Sequence, residues 1–204
     1  MNSLETFLRD HAFVHTVAVA PAFPFNIDPL LNDLSETQRR ARPHGLNSVA
    51  WLLWHLARVE DGCVSMLVLG QSQLLDEDHW HTRLGIGRRD LGTGMTKAEV
   101  AEMSERIVLD QLVAYRDAVG RRTRALLPSL WPDRWNAFVD PADIDRAAEA
   151  AVVSEPAAAA MRQFLPSQTR EAALHWWGLH HSLMHLGQLA MLRGLLIGTN
   201  QSDL

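Results

Sequence analysis

Residues 175–196 read HWWGLHHSLMHLGQLAMLRGLL and hold four of the ten histidines of a 204-residue chain. Apolar side chains recur there every three or four positions and no proline intervenes, which predicts a helix. At about 100° per residue, His185 lies roughly 40° around the axis from His181, and Gln188 lies roughly 20° to the other side. These three share a sector with Leu174, Trp177, Leu192 and Leu195, so both imidazoles are expected to face an apolar core, whereas His175 and His180 point elsewhere. The opposite side carries Ala172, Leu179, Leu183, Leu186, Ala190 and Ile197. A helix apolar on both sides is covered on both, here by segment 129–166 or by a second copy of the chain in a homodimer.

Working outward, the same period recurs in three more long segments, and alternating strand-like runs with hairpin turns are missing. The fold class is therefore all-α, a four-helix bundle. The first helix is expected from about Ser3 to Val19, before the proline-punctuated PAFPFNIDP, with a short helix over about Pro29 to Arg39. The second starts after Asn47 or Ser48, both good N-caps, and stops near Leu69 before Gly70. In TKAE, Thr96 and Glu99 supply a capping box for a third helix reaching about Leu127. DPAD, 140–143, opens a short helix, and the last long helix runs from about Ser167 to Ile197, ending at Gly198. Long connections between helices 2 and 3 and between 3 and 4 imply crossovers over the bundle. One domain, 1–204, is expected, with residues 1–25 as an N-terminal extension helix.

Composition narrows the function classes. The chain is 47% hydrophobic and 21% charged, with a net charge of −5, and it carries no basic stripe of the kind that tracks nucleic acid. The densest basic cluster, Arg121, Arg122 and Arg124, reads as a solvated helix face. No run approaches a membrane span. Glu5 and Asp10 precede the apolar HAFVHTVAVAPAFPF where a secretory leader needs positive charge, so that stretch reads as mature structure and the expected location is cytoplasmic. Cys63 is the single cysteine, which rules out an internal disulfide and zinc-ribbon spacing. It reads as a small buried hydrophobe, not a nucleophile. Any metal must then be held through nitrogen or oxygen.

His55, in NSVAWLLWHLARVEDG, has Trp51, Val59, Gly62, Met66 and Leu69 on its own helical face and should also look inward. Three neutral imidazoles on facing helices, His55, His181 and His185, can grip one ion and leave a coordination position open for water or substrate. By spacing alone, core histidines satisfied by hydrogen bonds fit the same residues. Burial of several imidazoles favours the shared ion, because burying them without partners is costly. The chain lacks a Glu-x-x-His motif, so a carboxylate-rich di-iron site of the ferritin type does not fit. Gln188 either orients His185 or lines the core, and Arg58, one turn beyond His55, reads as a surface ion pair.

With PHGLNSVAWLLWHLARVED and, far downstream, HHSLMHLGQLAMLRGLL, the sequence resembles the DinB-like (DinB/YfiT) superfamily of four-helix-bundle proteins. The resemblance implies that His55, His181 and His185 are metal ligands, the last followed by Leu186, Gly187 and Gln188. Members often carry His where this chain has Met184 and Arg where it has Leu186; neither departure removes a ligand. The resemblance further implies a divalent ion, zinc or nickel, and a small-molecule substrate. Relatives include thiol-dependent transferases and isomerases that use mycothiol or bacillithiol, and metal-dependent hydrolases. No catalytic residue beyond the ligands is assigned.

Overall fold

The computed structural model describes residues 1–197. The predicted stop at Gly198 lies outside them. The described residues are helical, with no strand beyond one isolated bridge, Phe138 to Thr169.

Helix α1 spans Ser3–Phe13 and opens on a capping box in which Asn2 and Glu5 satisfy each other's backbone N–H groups. It stops well short of the expected Val19. Tertiary bonds take over the chain there: the Arg116 guanidinium donates to the Val14 carbonyl, Thr16 donates to Asp117 at 2.6 Å, and Ile27 N–H donates to the His15 carbonyl at 3.0 Å. Each removes a backbone or side-chain group that a continuing helix of β-branched residues would otherwise leave in competition with solvent. The predicted helix over 29–39 is two pieces, Asp28–Leu31 and Glu36–Arg40, because Ser35 caps the second with Gln38 in the reciprocal position.

Helix α2 occupies residues 49–69: an α-helical Val49–Val59, capped by Ser48, continues as a π-helical Glu60–Leu69 and ends at Gly70 in the left-handed region, φ 67°. Every residue from Val49 to Leu69 is buried, so α2 is the axis of the molecule. Its apolar residues lie on all sides, and its buried polar residues His55, Arg58, Glu60 and Asp61 find partners inside the molecule.

The predicted third helix is two helices, α3 (Lys97–Arg106) and α4 (Leu109–Leu126), broken at Ile107 and Val108. Arg40 supplies the reason. One of its guanidinium nitrogens donates to the carbonyls of Ser104, Glu105 and Ile107 at 2.8, 2.8 and 3.1 Å. These are end-of-helix acceptors that need partners, and a distant cation meets them. Asp140 caps α5 (Pro141–Glu149), and α6 (Glu155–Phe164) follows, a helix not anticipated from EPAAAAMRQF. Helix α7 covers residues 170–197 after Thr169, as Arg170–His175, a π-helical Trp176–His180 and His181–Ile197. Helices α3, α4, α5 and α7 all pack on α2, and the long connections 70–96 and 127–169 carry the chain across the bundle.

Candidate metal centre

His55 sits on α2 two turns after the Ser48 cap, and His181 and His185 sit one turn apart on α7, directly after its π-helical stretch. Where a helix widens in this way its side chains are re-aimed, and such stretches concentrate at functional sites. The three rings converge: Nε2 of His55 is 3.2 Å from Nε2 of His181, and ring centroids are 4.9, 4.8 and 4.5 Å apart around the triangle. One ligand atom from each lies within 4.8 Å of the others.

The outer nitrogens fix the inner ones. His55 Nδ1 lies 2.5 Å from the Leu91 carbonyl, which only accepts, so Nδ1 carries the proton and Nε2 presents its lone pair to the centre. That carbonyl is delivered by a loop that passes close over α2. Gly92 has φ 81°, and a Cβ there would lie 2.5 Å from Trp54, so a side chain is excluded on both counts. Trp51 stacks on His55, centroids 4.7 Å apart and planes 15° from parallel. On α7, Oε1 of Gln188 accepts from His185 Nδ1 at 2.9 Å, which places Gln188 as the residue that orients His185. His181 Nδ1 is buried without a partner.

Burial holds the His55 ring down to about pKa 4, against the Leu91 bond, which raises it, while the neighbouring His185 lowers it further. Burial likewise lowers His181 to about 3, helped by the His55 and His185 rings. Both are neutral at pH 7, the form that ligates. Three imidazoles, two of them with lone pairs turned toward one point, form a donor set that could hold a metal ion.

The environment differs from the sequence expectation in two respects. His55 is 5% exposed, but His181 and His185 are only half-buried. Leu174 and Leu192 of the same sector are buried as expected, and Leu195 is half-buried. A cavity of about 280 Å³ lies beyond Gln188, lined by Leu46, Asn47, Leu52, Gln188, Met191 and Leu192 among others; Gln188 links it to His185, and none of the three histidines lines it. Arg58 is not on the surface. It is fully buried and donates to Asp61 at 3.0 Å, Tyr115 at 2.9 Å, Gln73 at 2.6 Å and the Arg89 carbonyl at 2.5 Å. It braces the 71–91 connection and not the centre. Three of its four acceptors, Gln73 and Arg89 in the 71–91 connection and Tyr115 on α4, are remote in sequence, so helical spacing does not reveal them.

The structure brings together a second group of ligand-type side chains, His11, His15 and Glu60, all buried, with their ligand atoms within 4.8 Å of one another. HAFVH, 11–15, carries the same four-residue histidine spacing as His181 and His185, and that signal could have found it.

A sequence model described as the DinB superfamily matches residues 26–189. The chain belongs to the DinB superfamily. No curated protein matches it. The matched region includes His55, His181 and His185 and excludes α1 with His11 and His15. Among the described residues no helix is long and apolar enough to cross a membrane.

Proposed function

We propose that His55, His181 and His185 hold a divalent ion, zinc or nickel, and that the protein is a metal-dependent enzyme acting on a small electrophile by S-transfer, isomerisation or hydrolysis. The observation that carries this reading is the pair of outer hydrogen bonds, to Leu91 and Gln188, that turn two imidazole lone pairs toward one point. Such an ion lowers the pKa of a thiol or water at its open position and so makes a nucleophile available at neutral pH. The chain's own part is to fix the ligands. The Leu91 carbonyl and Trp51 hold His55 in one orientation, and Gln188 holds His185. The cavity beside Gln188 and Met191 has room for a small substrate, with Asn47 as its polar wall. The expected cosubstrate is a low-molecular-weight thiol such as mycothiol or bacillithiol, with water as the alternative, and the expected location is cytoplasmic.

The test compares metal-loaded and chelated protein for consumption of an electrophile with mycothiol, bacillithiol, glutathione or water alone. Metal-dependent turnover lost in His55→Ala supports the reading. Absence of turnover with every thiol and with water sinks the enzyme and leaves a second reading, a non-catalytic metal- or ligand-binding homodimer.

One observation favours that second reading. On α7, Trp176, Leu183, Met184, Met191 and Ile197 are 51, 53, 54, 56 and 48% exposed. Leu179 and Leu186, expected on this outer side, instead pack within the chain. Apolar residues grouped on one face mark an interaction surface. A strictly monomeric mass by gel filtration with light scattering would remove the homodimer.

A further inference from the structure

His11 ends the last turn of α1 and His15 follows just beyond it; Glu60 opens the π-helical part of α2. Their side chains meet in the interior. Nε2 of His11 lies 2.9 Å from Oε1 of Glu60, and Nε2 of His15 lies 2.8 Å from Oε2. The rings are 4.3 Å apart, and the residues are 0, 1 and 2% exposed. Helix α4 is shaped around them: a Cβ on Gly120 would come within 2.6 Å of the His15 ring. A glycine in mid-helix is unfavourable by about 1 kcal/mol relative to alanine, and here its missing side chain is the space the imidazole fills.

We propose that His11, His15 and Glu60 form a second divalent-cation site, closed and structural, which fastens residues 1–27 to the bundle. Two imidazoles and a glutamate are a recurrent donor set for zinc and similar borderline ions. With one imidazole nitrogen against each carboxylate oxygen, Glu60 can ligate through both oxygens and the donor count reaches four. The charge balance points the same way. Among the described residues, Glu60 is buried with no arginine or lysine within ion-pair distance, and its two oxygens meet only the His11 and His15 rings. Arg116 and Arg124 act on it only from beyond ion-pair distance. A buried carboxylate needs a counter-charge, and an ion between the three donors supplies it. Near-zero exposure of all three residues leaves no approach for a substrate, which makes the site structural.

The site is weaker than the tri-histidine centre. Nδ1 of His11 and of His15 meets no partner, whereas Leu91 and Gln188 support two of the three rings at the first centre. Outer partners of this kind are worth about 10–100-fold in metal affinity, and the positive charge of Arg116 works in the same direction.

The experiment uses the full chain carrying H55A and H181A, which removes the first centre and leaves the second. It is equilibrated with Zn²⁺ alone, and elemental analysis gives the metal content. Retention of one equivalent, with a saturable rise in Tm on adding Zn²⁺, is expected. Adding Glu60→Gln, or His15→Ala if that variant fails to fold, should abolish both. Substituting Co²⁺ should give the visible bands of a four-coordinate ion, lost in the same variants. A folded H55A/H181A protein that takes up less than a tenth of an equivalent and shows no shift in Tm overturns the proposal and leaves a hydrogen-bonded triad. Failure of the tri-histidine reading looks different: the parent and H55A/H181A would then bind equal amounts of metal.

Discussion

Nε2 of His55 and Nε2 of His181 face each other at 3.2 Å across 126 residues of sequence. The Leu91 bond keeps the His55 proton on Nδ1, so the Nε2 lone pair of His55 takes either the Nε2–H of His181 or, on the metal reading, the shared ion. On that reading, His55→Ala should strip most of the ion from this centre. Metal content at equal protein concentration, with helicity checked by circular dichroism, measures it. Undiminished content would remove His55 from the ligand set.

Gln188 acts on the centre through His185. Gln188→Leu removes the acceptor for His185 Nδ1 and should weaken metal binding about 10–100-fold, while Gln188→Glu keeps an oxygen at that place and should retain most of the affinity. Competition against a chelating dye reads both. Equal losses in the two variants would mean that Gln188 serves packing alone.

Gly120 and His15 are fitted to each other, since a Cβ at 120 would collide with the ring. Gly120→Ala gains about 1 kcal/mol of helix propensity but overpacks a closed interior, a cost of about 1–3 kcal/mol. Net destabilisation is expected in urea unfolding. In a His15→Ala background the ring collision is gone and only the 3.0 Å approach to Val19 remains, so the same substitution should be less destabilising than in the parent; an unchanged cost would show that the ring is not the obstacle.

Arg58 holds four acceptors in the interior. Arg58→Ala leaves Asp61 buried without its cation and should cost about 3–5 kcal/mol, the usual result of removing one partner of a buried pair. The midpoint of urea unfolding measures it. A loss below about 1 kcal/mol would mean that these buried bonds contribute no more than an exposed pair does.

Cys63 is completely buried, and burial pushes its thiol from 9.0 up to about 12, against the attraction of Arg58. The native protein should resist an aromatic disulfide reagent at pH 8 and react with one equivalent in denaturant. Linkage gives the sign for stability. Between pH 9 and 12 the folded thiol keeps a proton that the unfolded one has lost, so this contribution is lost as pH rises through that window, by about 1.4 kcal/mol per unit at most.

The sequence by itself determined the helical class, the starts of α2, α3 and α5 and the pair on α7, because these rest on local physics. Ser48, Thr96 and Asp140 each cap the helix that follows them, and a four-residue spacing puts His181 and His185 on one side of a helix wherever that helix lies. Tertiary structure alone decided the end of α1, the break between α3 and α4, the interior position of Arg58 and the meeting of His11 and His15 with Glu60. In each of these a backbone carbonyl, carboxylate or guanidinium finds its partner from a segment tens of residues away, as Arg40 does at Ser104. A buried polar group must be paired, but which distant group pairs with it is set by how the helices pack.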